Sequence, residues 1–182
     1  MNSRERLLAA LNHQEPDRIP YDLGSTQVTG IHEVAYRNLR AYLGMPEVEP
    51  QICDTVQGLA LPDDDLIEKL GVDVRGLFPL NSHNWNITLT DRGDRWEYID
   101  EWGLTQHRPK DVLYFSVVTA PLNSSTLTVD NVRDYAWPDT GDVRRIAGLR
   151  ELAESYRAQG QAVMIKGVLA GAECTMEITN AD

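Results

Sequence analysis

The sequence predicts an α/β protein built on a parallel sheet, with an antiparallel meander inserted into it. Three observations lead there. Short apolar strands alternate with amphipathic helices from the N-terminus onward. The run Ala162-Val163-Met164-Ile165-Lys166-Gly167-Val168-Leu169 is nearly continuously apolar, as in a strand covered on both faces. Between Trp85 and Val118 the apolar period falls from helical to two, with Ile87, Leu89, Trp96, Tyr98, Trp102 and Leu104 separated by polar residues.

The elements follow in order. Asn2 or Ser3 caps a first helix whose stripe is Leu7, Leu8 and Leu11, ended by Pro16 and Pro20. Ile19, Tyr21 and Leu23 alternate as a short strand over 18–24. A second helix is expected over Ile31–Leu43 with Thr29 as its cap, stopped by Gly44 and Pro46. Asp63, Asp64 and Asp65 load the start of a third helix, which Gly71 closes, and 72–77 follows as a strand. Asp91-Arg92-Gly93-Asp94 reads as the hairpin turn of the meander. Thr128 caps a short helical turn, a helix is expected over Val143–Gln159 with Gly160 as its stop, and the apolar strand comes next. After Ala170-Gly171-Ala172 a βα loop and helix begin, and no cap appears by Asp182. The expectation is one incomplete domain over residues 1–182, an N-terminal fragment with its antiparallel insertion at about 83–120. No internal repeat, low-complexity tract or linker interrupts it.

Composition narrows the function classes. With 17 Lys and Arg against 28 Asp and Glu, the formal charge is -11, which repels phosphate backbones and anionic membranes. Nucleic acid and membrane are therefore not expected as partners. No run approaches the ~18 apolar residues of a membrane span, and the N-terminus has no signal-peptide pattern. Cys53 and Cys174 form no CxxC or CxH pair, so a reducing cytoplasm is the expected compartment. His13, His32, His83 and His107 lie in no metal-ligand spacing, and no metal site is read from the chain.

The segments SRERLLAALNHQEPDRIPYDLG, TGIHEVAYRNLRAYLG, DLIEKLGVDVRGL, YIDEWG, YAWPD and GVLAG resemble the uroporphyrinogen decarboxylase superfamily, in particular its corrinoid- (cobalamin-) dependent methyltransferase-like branch. The resemblance spans essentially the whole chain and implies the N-terminal part of a (β/α)8 TIM-type barrel, which takes ~250 residues when complete. It implies an enzyme that transfers a methyl group between a corrinoid and a small thiol or methylated substrate. Zinc and a corrinoid would serve the complete enzyme, with no cofactor held by this fragment, which on its own is expected to be inactive. A small molecule, a corrinoid protein, a further copy of the chain or a complementing C-terminal half are the partners implied.

The alternative is uroporphyrinogen decarboxylase itself, from which the chain departs at three places. Gly24 to His32 contains no arginine where the decarboxylases carry an arginine-rich segment, Gly76-Leu77-Phe78-Pro79 replaces a segment bearing an aspartate, and Thr179 stands at the substrate-contacting tyrosine. A third reading, from another class, is a non-catalytic fragment that needs a partner chain.

No residue is assigned a catalytic role from sequence. The substrate-binding candidates are His32, Asp22, Asp54, Arg75 and Glu177. His32 follows the first strand-to-helix loop and is either a pocket residue or a helix-start histidine bonded to backbone. Asp22 could bind substrate or cap its own loop. Asp54 and Arg75, with Asp73, could face a barrel mouth or form buried ion pairs. Glu177, with Glu173 and Cys174, follows the last visible strand.

Overall fold

The computed structural model describes residues 1–82, 85–139, 141–166 and 176–177. It is a mixed α/β structure with three sheets, none closed into a barrel. The chain divides into two compact units, Met1–Pro79 with the described residues from Ile146 onward, and Leu80–Arg145.

The first unit opens with α1 (Ser3–Leu11), held by a capping box: the Asn2 side chain accepts from the Glu5 N–H while Glu5 accepts from the Asn2 N–H. The expected strand over 18–24 does not form. This stretch is extended beside a later strand and makes a single backbone bond to it, from the Asp73 N–H to the Tyr21 carbonyl at 2.7 Å. Pro20 has no N–H to give a ladder, which limits pairing at that point. The next expectation is also corrected: Ile31–His32 is a short strand, β1, and α2 (Glu33–Tyr42) starts later, capped by His32 rather than Thr29. Strands β2 (Ile52–Asp54) and β3 (Leu59–Ala60) complete a small antiparallel sheet in the order β1-β3-β2.

Helix α3 (Asp64–Leu70) begins at the acidic cluster and ends at Gly71, whose φ of 65° is the left-handed closure expected of glycine. Strand β4 (Val74–Leu77) follows. Tyr36, Ala60 and Leu66 form the buried centre of this unit, with Ile31, Leu39, Leu43 and Leu70 packed around them.

The second unit holds the expected meander, a four-stranded antiparallel sheet in chain order: β5 (Thr90–Asp91), β6 (Arg95–Ile99), β7 (Thr105–Pro109) and β8 (Ser116–Thr119). Ile87 and Leu89 lie ahead of its first strand. Tyr98 packs edge-on against Phe115 with ring centroids 4.9 Å apart, and the Lys110 ammonium lies 3.4 Å from the Trp96 ring centre. The aromatic alternation is therefore used for packing. The short α4 (Val129–Arg133) is capped by Thr128 as expected, and Arg145 is buried against Glu101 at 2.6 Å.

The helix expected over Val143–Gln159 is broken into a 3-10 turn at Val143–Ile146 and α5 (Leu149–Ala158), because Gly148 takes a φ of 77° between them. Strand β9 (Ala162–Lys166) runs parallel to β4, in a register pairing Val74 with Ala162 and Leu77 with Ile165. The expected strand residues 167–169 lie outside the described residues. Beyond them Met176–Glu177 is a short strand, β10, antiparallel to β9, where the sequence suggested a helix. Among the described residues no helix is long and apolar enough to cross a membrane.

One polar cluster ties the N-terminal helix to the start of β4. Asp73 is fully buried and accepts from Arg6 Nη1 at 2.6 Å, Arg18 Nη1 at 2.7 Å and the Tyr21 N–H at 2.8 Å. Arg6 in turn donates to Asp17 at 2.7 Å. The Glu-Pro-Asp-Arg turn is thus a clamp at the N-terminal end of the parallel pair, and Asp73 belongs to it rather than to a mouth.

Candidate functional site at the strand ends

The parallel pair has two chemically distinct faces. Side chains alternate along a strand, so Arg75 and its partner Val163 share one face while Met164 and Lys166 share the other. Arg75 points to the helices: its Nη1 donates to Asp64 of α3 at 2.7 Å, and its guanidinium lies 5.3 Å from the Tyr156 ring centre of α5. Lys166, at the carboxyl end of β9, reaches instead to Asp54, with its Nζ 3.6 Å from Oδ2.

Asp54 is buried and held on both oxygens. Its Oδ1 accepts from the Gln57 N–H at 2.8 Å, and its Oδ2 accepts from the Gln27 side-chain amide. Gln27 is delivered by a loop that Asp22 folds: the Asp22 carboxylate accepts from the Ser25 N–H and hydroxyl and from the Thr29 hydroxyl at 2.9 Å, and the Gly24 N–H donates to the Thr29 carbonyl at 2.8 Å. Gly24 adopts a φ of 80° against Pro62, and a Cβ there would lie 2.5 Å from that ring, so the loop entry requires glycine. Asp22 is therefore the organiser of the loop that carries Gln27.

His32 and Asp54 both pair with Leu59, from opposite sides of the central strand β3. Directly opposed residues face the same way, so the two stand on one face, two strands or ~10 Å apart. Imidazole Nδ1 accepts from the Val34 N–H at 3.2 Å as the cap of α2, which leaves the proton of a neutral ring on Nε2. A Cβ on Gly58 would fall 2.8 Å from that Nε2, so the imidazole lies directly against the Gly58 backbone.

Of the candidates read from sequence, the structure brings Asp54 to the strand ends, places Asp22 behind it and His32 abreast of it, and sends Arg75 to the opposite face. Glu177 is described by its backbone alone, in register with Ile165 next to Lys166. Lys166 and Gln27 were not anticipated. A lone lysine within an otherwise apolar run was the signal for the first; nothing local marks the second.

Cys53, beside Asp54, is a half-buried thiol. Desolvation is the main cause that pushes its pKa up to about 11, with the Lys166 charge pulling the other way. Its Sγ donates to the Leu59 carbonyl at 3.5 Å. It is therefore almost wholly a neutral thiol at neutral pH. Among the described residues no group of three His, Cys, Asp or Glu side chains could hold a metal ion.

What the site offers is an ammonium fixed beside a carboxylate at the carboxyl ends of two parallel strands, the end where α/β folds bind ligands. Such a pair can hold an acidic group through Lys166 while Asp54 fixes its position. A scan of family models, a search of curated proteins and a search of solved structures each found no match to the chain.

Proposed function

We propose that the chain is the leading part of a β/α-barrel enzyme of the uroporphyrinogen decarboxylase superfamily, on its corrinoid-dependent methyltransferase-like branch. It passes a methyl group between a corrinoid and a small thiol or methylated substrate. The observation that carries this reading is the meeting of Lys166 and Asp54 at the carboxyl ends of strands in parallel register. The order of elements supports it too, since an extended 18–24 segment, β4 and β9 succeed one another with helices between them.

In this reading Lys166 binds an acidic group on the methyl acceptor, and Asp54, gripped by Gln27 and the Gln57 N–H, sets the ammonium in place. A corrinoid, when bound, would supply the methyl as an electrophile and keep the electron pair of the broken bond, and the acceptor thiol would give its proton to solvent. The zinc ion of the branch has no matching ligands among the described residues, so no step is assigned to a metal. Decarboxylation of uroporphyrinogen is less well supported, because the buried Arg75 faces the helices rather than the strand ends.

The test is incubation of the full-length barrel, this chain joined to its C-terminal half, with methylcobalamin and 3-mercaptopropionate, followed by absorbance and by mass spectrometry. Protein-dependent loss of the methylcobalamin spectrum with formation of the S-methyl product is expected. An unchanged spectrum with no S-methyl product would remove the reading.

A further inference from the structure

A cleft of about 370 Å³ opens on the helix-facing side of β4, within the first unit. Its walls are polar and apolar in about equal measure: Leu61, Ile67, Leu149 and Leu152 supply the apolar part, and Asp63, Asp64, Arg75 and Tyr156 line it as well. The volume falls in the range of small-molecule pockets, ~300–1,000 Å³.

Arg75 is the unusual member. Its side chain is 9 % exposed, and its single ion pair among the described residues is to Asp64, whose side chain is 76 % exposed. That pair uses Nη1. The Nε–H is buried and has no hydrogen-bond partner among the described residues. A buried donor left unmade costs free energy, so Nε marks a position where an acceptor would be favourable. The Nε and Nη2 edge of a guanidinium matches a carboxylate in a two-bond fork, and the Asp64 contact, made through Nη1, does not engage that edge. Tyr156 under the guanidinium keeps its plane in place.

We propose that this cleft is a binding site for a small carboxylate with an apolar body, its oxygens on the Nε edge of Arg75 and its hydrocarbon against α3 and α5. The site lies on the opposite face of the parallel pair from Lys166 and is independent of the methyl-transfer reading. Asp64, mostly exposed, needs no displacement, because its contact is at the other end of the guanidinium.

The experiment uses 3-phenylpropionate as the probe and 3-phenylpropanol as its uncharged counterpart, with calorimetry and the arginine Nε–H region of the ¹H–¹⁵N spectrum as readouts. The carboxylate is expected to bind and to move the Arg75 Nε–H resonance, the alcohol to bind about tenfold or more weaker, and Arg75→Gln to weaken the carboxylate by a similar factor. Arg75→Lys should not restore it, since an ammonium lacks the fork. Leu152→Trp, which fills the cleft from α5 and leaves Arg75 in place, should also abolish binding. Equal binding of acid and alcohol, an unmoved Arg75 resonance, or full affinity in Leu152→Trp would overturn the proposal.

Discussion

Replacing Asp73 by Ala tests the clamp that joins the N-terminal helix to β4. The carboxylate is fully buried and accepts from two guanidinium groups and the Tyr21 N–H, at 2.6 to 2.9 Å. The two arginines do not weigh equally. Arg18 is 45 % exposed and can rehydrate, so its loss contributes little. Arg6 is 9 % exposed and would be left with Asp17 and the Met1 carbonyl, while the Tyr21 N–H loses its acceptor. Breaking a buried pair by removing one partner costs about 3–5 kcal/mol, a large share of the ~5–15 kcal/mol that holds a domain together. Asp73→Asn keeps the shape and one acceptor, and should cost less. Urea unfolding followed by far-ultraviolet circular dichroism reads both, with an unchanged slope confirming that stability alone has moved. Joint replacement, Arg6→Met with Asp73→Leu, should cost less than the two single changes summed, because neither charge is then stranded. Burial drives the Asp73 carboxyl upward, and the bonds from Tyr21, Arg18 and Arg6 more than offset it, so the group titrates below the ordinary carboxylate range. A lowered folded value means stability that is complete above the unfolded pKa of ~3.9 and is lost as pH falls through the folded one. Asp73→Asn should flatten that acid limb. An Asp73→Ala cost under about 1 kcal/mol would refute the reasoning.

Other outcomes follow from the same geometry. Arg40, 2 % exposed, spans Asp63 and Asp65 with bonds of 2.8 to 3.0 Å, but both carboxylates are about half exposed and rehydrate when released. Arg40→Met should therefore cost only about 1–3 kcal/mol in urea unfolding, less than Asp73→Ala. A Cβ on Gly76 would stand 2.6 Å from the Ser25 carbonyl oxygen and 2.9 Å from its Cα, so Gly76→Ala must push the 23–25 segment off β4, at about 1–3 kcal/mol by the same assay. Cys53, raised to about 11, is roughly one part in a thousand thiolate at pH 8. Peptide mapping after iodoacetamide should find it unmodified in native protein and alkylated once urea is added.

What the sequence disclosed was what its local chemistry controls. The Asn2–Glu5 box, the αL glycine at Gly71 and the Asp91–Asp94 turn each act within a few residues, and α1, α3 and the meander stand where those signals put them. Contacts across the chain were less legible. Arg6 and Asp73 are 67 residues apart, and no periodicity links them, so the Glu-Pro-Asp-Arg turn could be read as a family pattern without its task being seen. Tertiary contacts likewise overrode propensity at Ile31–His32, where pairing with β3 took two residues from the expected helix. At the site, Asp54 and His32 stood out as polar residues near the loops, while Gln27 became relevant only through the fold that Asp22 imposes on its loop. Arg75, also a candidate from the sequence, faces the helices, because the parity of β4 places it opposite the lysine.

Steady-state kinetics of methyl transfer from methylcobalamin to 3-mercaptopropionate by the full-length barrel, comparing the wild type with Lys166→Met, probes the strand-end site most directly. An ammonium that binds the acceptor's carboxylate without entering the chemistry should, when removed, raise the acceptor KM about tenfold and leave kcat within a few-fold. A wild type without turnover, or a Lys166→Met variant with unchanged KM, would contradict it.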